Sequence, residues 1–240
     1  MQRALFASDL HLAAERPAAT AAFTRFLETE ASRCEVLYLL GDLFEYWAGD
    51  DELEDAAHGT VARALSATAA AGTRIFVMHG NRDFLMGAGF CRAAGATLLE
   101  DPQCVDLLGA RTVLTHGDVL CTDDADYQAW RRTARSPEWQ RAFLAAPLPA
   151  RRAQMSALRA RSREAIRAKP AAIMDVNDAA VRDMLRAHDA TRMIHGHTHR
   201  PAHHRLDLDG RDCERWVLPE WYGPGGYLRA DSRGLRLVYF

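Results

Sequence analysis

Side chains of the kinds that bind divalent metals recur in five short motifs of this sequence. Asp9 and His11 lie two residues apart, so in an extended chain both point to one side and can share a cation. Asp42 follows Gly41, where the backbone can turn closely, and its two carboxylate oxygens can bridge two cations. Together the motifs supply seven predicted metal ligands: Asp9, His11, Asp42, Asn81, His116, His195 and His197.

The donor set indicates the chemistry. Carboxylates, imidazoles and an amide, without cysteine, suit Mn²⁺ or Fe²⁺, and Zn²⁺ is also compatible. Two such cations about 3.5–4 Å apart lower the pKa of a bound water, hold phosphoryl oxygens and offset the charge of in-line attack. A single histidine or aspartate would usually be structural, but the whole set predicts a two-metal phosphoester hydrolase.

Strand-like segments precede these motifs and must position them. Short apolar runs occupy residues 4–7, 36–40, 74–78, 112–115 and 192–194, and each ends next to one motif. Helical patterns over about 18–32 and 53–71 separate the first three runs, which is typical of βαβ units and a largely parallel, layered sheet. Further strands are predicted at 98–99, 104–108, 216–218, 226–228 and 235–238. The motifs therefore lie on the tips of successive strands, where side chains can converge on a cavity.

The segment from about 123 to 189 has a different pattern. Strand signals nearly vanish, and basic helical stretches are interrupted by Pro137, Pro147 and Pro149. Between positions 131 and 169 there are eleven Lys and Arg against two Glu. This indicates a helical insertion between two strand-end motifs, and its charge is either a solvated face or a surface for anionic groups.

Composition excludes several classes. The net charge of −2 gives no reason to expect nucleic acid as a partner, and no obligate protein partner is indicated. Five cysteines without C-x-x-C pairing argue against a disulfide framework and for a reducing compartment. There is no signal peptide pattern and no apolar run of about 18 residues. We therefore expect a cytoplasmic protein whose membrane contact, if any, is peripheral.

The order of the motifs resembles that of the calcineurin-like metallophosphoesterases: D-x-H, G-D, G-N-H-D/E, H and G-H-x-H. The resemblance implies one domain over residues 1–240, an α/β fold built as a four-layer α/β/β/α sandwich, and a helical lid at about 123–189. It implies two metal positions. One would be held by Asp9, His11, Asp42 and His197, and the other by Asp42, Asn81, His116 and His195.

Arg82 departs from that family pattern, which usually has histidine at this position. The histidine acts near the leaving group, which matters for a poorly departing alkoxide. A phosphate leaves without a proton donor, and an arginine can steady its extra charge with forked donors. Arg82 therefore favours a pyrophosphate bond in the substrate, although an ion pair with Asp83 is an alternative role. Asn81, Arg82 and His116 are the predicted catalytic residues.

Longer stretches are similar to the UDP-2,3-diacylglucosamine diphosphatases of Gram-negative lipid A synthesis. They are SDLHL at 8–12, GDLFEYW at 41–47, HGNRDFL at 79–85, HGD at 116–118, LCTDDADYQ at 120–128, AIMDVN at 172–177 and IHGHTHRP at 194–201. The resemblance implies water attack on the α-phosphorus, giving UMP and 2,3-diacylglucosamine 1-phosphate. It also implies two Mn²⁺ per chain and peripheral attachment to the cytoplasmic face of the inner membrane.

In that family the insertion covers the site and accepts the two acyl chains, which suits its Trp, Phe, Leu and Met content. Ile166 stands where the family usually has asparagine, and Lys169 is the only lysine of the chain. The implied substrate contacts are Asn81, Arg82, Asp124, Ser162, Ile166, Lys169 and His195.

Two other functions are also compatible with the sequence. One is a phosphoesterase of the same fold acting on nucleotides, which would need no groove for acyl chains. The other is a binding scaffold without turnover, which should have lost ligands. Of the weaker signals, His199 is expected near the site without binding a metal, and residues 220–225 are interpreted as a loop without chemistry. Asp118 either orients ligands or caps the next helix.

Overall fold

The computed structural model describes residues 3–168 and 171–240, with side chains described except at 163, 165–168, 171 and 172. Lys169 lies outside the described residues, as does the side chain of Ile166. The strands are β1 (Ala4–Ala7), β2 (Val36–Leu40), β3 (Arg74–Met78), β4 (Ala96–Leu99), β5 (Gln103–Leu107), β6 (Ala110–Leu114), β7 (Arg192–His195), β8 (Ala202–Leu208), β9 (Arg211–Val217), β10 (Gly226–Asp231) and β11 (Gly234–Tyr239). The helices are α1 (Pro17–Thr29), α2 (Ala56–Ala70), α3 (Ala88–Ala94), α4 (Ala125–Ala134), α5 (Pro137–Leu144), α6 (Leu148–Ala168) and α7 (Asp178–Ala187).

The first sheet has six strands in the order β11-β10-β1-β2-β3-β4. Strands β1 to β4 run parallel, and β10 pairs antiparallel with β1, placing Ala4 opposite Ala230. The central strands are apolar on both faces, as expected for a parallel sheet covered on both sides. One face, with Leu5, Leu37 and Ile75, packs against α1, α2 and α3 in the largest core cluster.

The second sheet has five strands in the order β5-β6-β7-β9-β8, with β6, β7 and β9 parallel. Its inner face meets the second face of the first sheet, where Phe6 and Leu40 pack with Leu114 and Ile194. Its outer face carries Val113 and Met193, which pack against Val181 and Leu185 of α7. The layers are therefore helices, sheet, sheet and helix, and the predicted α/β/β/α fold is confirmed.

Helices α4, α5 and α6 follow β6 and precede α7. Ala134, Phe143 and Met155 from these three helices join the largest core cluster beside Phe84, so the group is packed onto the sandwich. Helix α7 forms the outer layer, although it lies within the 123–189 range predicted as a lid. Within residues 3–168 and 171–240, none of the helices combines the length and apolar character needed to cross a bilayer. All five cysteines are free.

Candidate active site

The motifs meet at one edge of the two sheets because each follows the carboxyl end of a strand. Asp9 and His11 follow β1, Asp42 follows β2, and Asn81 follows β3. The extensions of β1 and β2 stay paired beyond the sheet, since the backbone N–H of His11 donates to the carbonyl of Asp42 at 3.0 Å. The motifs after β6 and β7 come from the second sheet. Both sheets therefore contribute to one cluster.

Backbone strain marks this cluster. Positive φ values are uncommon outside glycine because they bring Cβ close to the backbone, and they concentrate at functional sites. Five residues of the metal-binding motifs have such φ values between 50° and 67°: Asp9, His11, Asp42, His197 and His199.

The first half of the cluster gathers side chains of Asp9, His11, Asp42 and His199. The Nε2 atoms of His11 and His199 are 3.2 Å apart, and His199 Nε2 lies 3.3 Å from Asp9 Oδ1. Asp42 Oδ2 is 3.8 Å from His11 Nε2. Asp9 Oδ1 is buried without a hydrogen-bond donor among the described residues. Two imidazoles and two carboxylates directed at one position fit a divalent cation.

The second half consists of Asn81, His116 and His197, with the other oxygen of Asp42. Asn81 Oδ1 lies 2.9 Å from His197 Nδ1 and 3.0 Å from His116 Nε2. Asp42 Oδ1 lies 3.8 Å from His116 Nε2. Asp42 thus offers one oxygen to each half, which is the arrangement of a carboxylate that bridges two cations.

Gly80 and Asp83 hold the two loops that carry Asp42 and Asn81. The buried Asp83 carboxylate accepts the backbone N–H groups of Gly80 and Leu43, each at 2.8 Å. A Cβ on Gly80 would lie 2.1 Å from Asp42 Oδ1 and 2.3 Å from its backbone nitrogen, so only glycine fits there. The Asp83 carboxylate is therefore hydrogen-bonded to backbone amides. The Arg82 side chain lines a cavity next to the site.

His195 was predicted as a metal ligand, and the structure does not bear this out for its side chain. Its Nδ1 donates to the carbonyl of Gly196 at 2.8 Å, and its Nε2 lies 3.1 Å from an NH group of the buried Arg215 guanidinium. Because Arg215 can only donate, Nε2 must accept, and neither nitrogen keeps a lone pair for a cation. Burial, reinforced by Arg215, lowers the pKa of His195 to about 4, which keeps the ring neutral.

The histidine pair of the last motif is therefore shifted by two residues, from His195 and His197 to His197 and His199. His199 occupies the place predicted for His197, beside Asp9 and His11, and His197 occupies the place predicted for His195. The signal for this pairing is in the sequence, since the G-H-x-H pattern read from Gly196 gives His197 and His199. Spacing alone does not separate the two pairs, because both are two residues apart.

The buried charges of the cluster balance one another. Burial alone would lower the pKa of His116, but the carboxylates of Asp42, Asp9 and Asp118 raise it to about 9. Burial lowers the pKa of His11 to about 4 and that of His197 to about 3. Burial alone would raise the pKa of Asp9, but His199, His116 and His11 hold it well below its usual value. The carboxylates therefore stabilise positive charge in the site.

A cavity of about 570 Å³ opens from this cluster. Asn81, Arg82, Asp124 and Ser162, four of the predicted substrate contacts, line it together with His197. Its other wall is apolar and combines Phe84 with four side chains from the region after β6: Trp130, Met155, Leu158 and Met174. His195, the remaining predicted contact with described side-chain atoms, is fully buried.

Asp118 was predicted to orient ligands or to cap the next helix, and the contacts of its carboxylate are of a third kind. Its fully buried carboxylate accepts the Tyr127 hydroxyl at 2.7 Å and Arg131 Nε at 2.8 Å, and Arg135 lies 3.5 Å away. These three residues are spaced four positions apart, so Tyr127 and Arg131 lie on one face of α4 and Arg135, at its C-terminal cap, continues that face. Asp118 therefore attaches α4 to the sandwich, whereas Asp124 caps the start of α4 by accepting the backbone N–H of Tyr127 at 3.1 Å.

Comparisons with known proteins show the family of this chain. The calcineurin-like phosphoesterase family matches residues 2–201. The chain is 50% identical over 231 residues to a UDP-2,3-diacylglucosamine hydrolase of Aromatoleum aromaticum, covering 96% of this chain and 94% of the relative. It is 48% identical to the protein of that name from Pseudomonas aeruginosa and 45% identical to that from Serratia proteamaculans, each over 98% of both chains.

Proposed function

This chain belongs to the calcineurin-like phosphoesterase family, and on that premise we propose that it hydrolyses the pyrophosphate bond of UDP-2,3-diacylglucosamine. Three relatives bearing the name of that activity are 45–50% identical over nearly the whole chain. The observation that carries the proposal is a cavity joining a two-part ligand cluster to an apolar wall. The products would be UMP and 2,3-diacylglucosamine 1-phosphate, formed by water attack on the α-phosphorus.

Two divalent cations fit the cluster. We assign one to Asp9, His11, Asp42 and His199, and the other to Asp42, Asn81, His116 and His197. The support is the convergence of these donor atoms, two imidazole nitrogens only 3.2 Å apart, and the buried Asp9 Oδ1 without a donor among the described residues. The mixed nitrogen and oxygen donors favour Mn²⁺, with Fe²⁺ and Zn²⁺ also compatible. Cations bound here would polarise the phosphoryl group and lower the pKa of water.

The chain's own polar groups orient the substrate and stabilise charge. Arg82 lines the cavity next to Asn81, where its guanidinium can donate two hydrogen bonds to the departing phosphate. A phosphate leaving group needs no proton, so a permanent positive charge is sufficient there. Asn81 and His197 contribute to both the cluster and the cavity, and Asp124 and Ser162 extend the polar wall. We retain Ile166 and Lys169 as proposed substrate contacts on the family resemblance alone.

Helices α4 to α6 form the proposed lid over acyl chains. The apolar wall includes Trp130 of α4 and Met155 and Leu158 of α6, beside Phe84 of the sandwich. A hydrocarbon chain placed along these side chains gains about 25 cal/mol for each Å² removed from water. A simple nucleotide has no group that would fill this wall, which favours the lipid-linked substrate.

We also propose that the enzyme works at the cytoplasmic face of the inner membrane, held there peripherally. The support is the chemistry of the substrate, whose acyl chains reside in a bilayer, and the cationic character of residues 131–169. Lysine and arginine near an anionic surface each contribute on the order of 1 kcal/mol. Liposome flotation with the lid arginines neutralised tests this, and unchanged binding would contradict it.

A product assay tests the reaction. UDP-2,3-diacylglucosamine and a panel of dinucleoside polyphosphates and cyclic nucleotides would be incubated with the enzyme, with and without Mn²⁺. We expect Mn²⁺-dependent release of UMP from the lipid substrate only. Comparable turnover of the nucleotides would instead favour a nucleotide-directed phosphoesterase of the same fold.

A further inference from the structure

Glu45 lies at the junction of three parts of the chain that the proposed reaction brings together. It follows the Asp42 motif, and its side chain is largely buried beside His11. It contacts the metal-binding cluster, the lid helix α6 and the loop before β10. No local pattern predicts these contacts, because the partner residues lie at distant positions of the chain.

One carboxylate oxygen of Glu45 faces His11. Glu45 Oε2 lies 3.2 Å from His11 Nδ1, on the opposite side of the ring from Nε2, which faces Asp42 and His199. The backbone holds this placement, because the N–H of Glu45 donates to the Leu12 carbonyl at 3.0 Å. The contact is electrostatic, because His11 Nδ1 has no partner with hydrogen-bond geometry among the described residues. A carboxylate this close favours a proton on Nδ1, which leaves the Nε2 lone pair for a cation.

The same carboxylate is shared with the lid and with the late loop. Its Oε1 forms an ion pair with Arg159 of α6, and its Oε2 accepts the hydroxyl of Tyr222 at 2.7 Å. The Tyr222 ring stacks on the His11 ring with centroids 4.8 Å apart and planes 20° apart. Because the carboxylate is planar, turning Oε1 to follow Arg159 also moves Oε2 relative to His11.

We propose that Glu45 is a positioning residue that couples the docking of the lid helix α6, through Arg159, to metal binding at His11. The inference rests on the proposed two-metal function and adds to it a link between the lid and one metal position. With Arg159 in place, Glu45 is held against His11 Nδ1 and the Nε2 lone pair is directed into the cluster. With Arg159 removed, the carboxylate is less fixed and the first cation is held more weakly.

Mn²⁺ titration of the full chain, followed by the electron paramagnetic resonance signal of free Mn²⁺, tests the coupling without using activity. Glu45→Gln should weaken one of two Mn²⁺ sites by about 10-fold to 100-fold, the usual cost of losing such a partner. Arg159→Gln should weaken the same site by about 2-fold to 30-fold, the range of coupling through a network. In the double variant the effects should not add, because both act through one carboxylate.

Arg141→Gln is the matched control, since it removes an exposed lid arginine paired with Glu138, and its Mn²⁺ binding should equal that of the parent protein. Thermal unfolding with a chelator present shows whether each variant is folded, and Tyr222→Phe gives a milder change at the same carboxylate. Parental binding by Glu45→Gln, or equal weakening by Arg159→Gln and Arg141→Gln, would overturn the coupling. Failure of the parent protein to bind Mn²⁺ would instead overturn the proposed function.

Discussion

Replacing His195 and His199 by glutamine, one at a time, should separate a structural histidine from a metal ligand. His199 supplies one of four donor atoms converging on the first metal position, next to Asp9 Oδ1 and His11 Nε2. His195 is tied by both nitrogens to Gly196 and Arg215. The two substitutions are chemically identical and only four positions apart, so each serves as the control of the other.

The expected magnitudes follow from these contacts. His199→Gln removes an imidazole from the first position and should weaken one Mn²⁺ site more than the roughly 10-fold to 100-fold lost with an outer partner. Its kcat should fall by about 10²-fold to 10³-fold, as when one preorganised charge-stabilising group is lost. His195→Gln keeps an acceptor for Arg215 and loses one hydrogen bond, worth about 1 kcal/mol. His195→Leu leaves the guanidinium without its acceptor, at about 1–3 kcal/mol or 2–12 °C in Tm.

The assay combines metal content after dialysis against limiting Mn²⁺ with thermal unfolding in chelator. We expect His195→Gln and His195→Leu to retain two Mn²⁺ per chain while losing stability in that order. We expect His199→Gln to lose one tight site with little change in the Tm of the metal-free protein. The reasoning is refuted if His195→Gln loses a metal while His199→Gln keeps both.

Four further predictions concern protons, packing and the lid. The pKa of His116 is raised to about 9, so Mn²⁺ must displace its proton to bind. Mn²⁺ binding should therefore release protons at pH 7, and the Mn²⁺ affinity should rise up to tenfold per pH unit below about 9. Calorimetry in buffers of different ionisation enthalpy would measure both effects. For the metal-free protein the same shift contributes stability that is fully present below pH 6.5 and is lost as pH rises through about 9, which chelator-treated melts against pH would measure. Gly80→Ala should displace Asp42 and cost about 1–3 kcal/mol together with metal affinity, and unaltered Mn²⁺ titration would contradict the close packing. Asp118→Asn should leave Arg131 of α4 and Arg135 at its C-terminal cap without their carboxylate and cost about 3–5 kcal/mol, measured by denaturant unfolding. Proteolysis should then occur first between α4 and α6.

Much of the fold follows from local patterns. Buried parallel strands are continuous apolar runs, so β1, β2 and β3 coincide with the predicted segments 4–7, 36–40 and 74–78. Strand β8 was missed because its residues 202–208 are mostly charged or histidine, as suits an exposed edge. Helix α3 was missed because its seven residues give too short a pattern. Helix α7 belongs to the outer layer because it packs against the second sheet, and no local sequence pattern predicts which sheet a helix contacts.

Side-chain partners were harder to predict than the motifs themselves. The motif types indicated the chemistry, but the choice between His195 and His199 depends on Arg215, which is twenty residues from His195 and reaches it from the neighbouring strand β9. Glu45 and Tyr222 are 177 residues apart in sequence, so the contact between them has no local signal. Residues 220–225, interpreted as a loop without chemistry, place Tyr222 against His11. Tertiary contacts of this kind follow from topology, which local patterns do not encode.

The position of β10 between β1 and β11 has a consequence for how the protein is made. Strand β1 carries the backbone that leads into Asp9 and His11, yet its Ala4 pairs with Ala230. At synthesis rates of about 5–20 residues per second, one edge of β1 stays open for roughly 10–45 s after the strand leaves the ribosome. During that time an apolar strand is exposed with no partner on one side, which is a hazard for aggregation. Nascent chains of this protein should therefore depend on ribosome-associated chaperones, and two of the metal-binding histidines, His197 and His199, arrive only late in that interval.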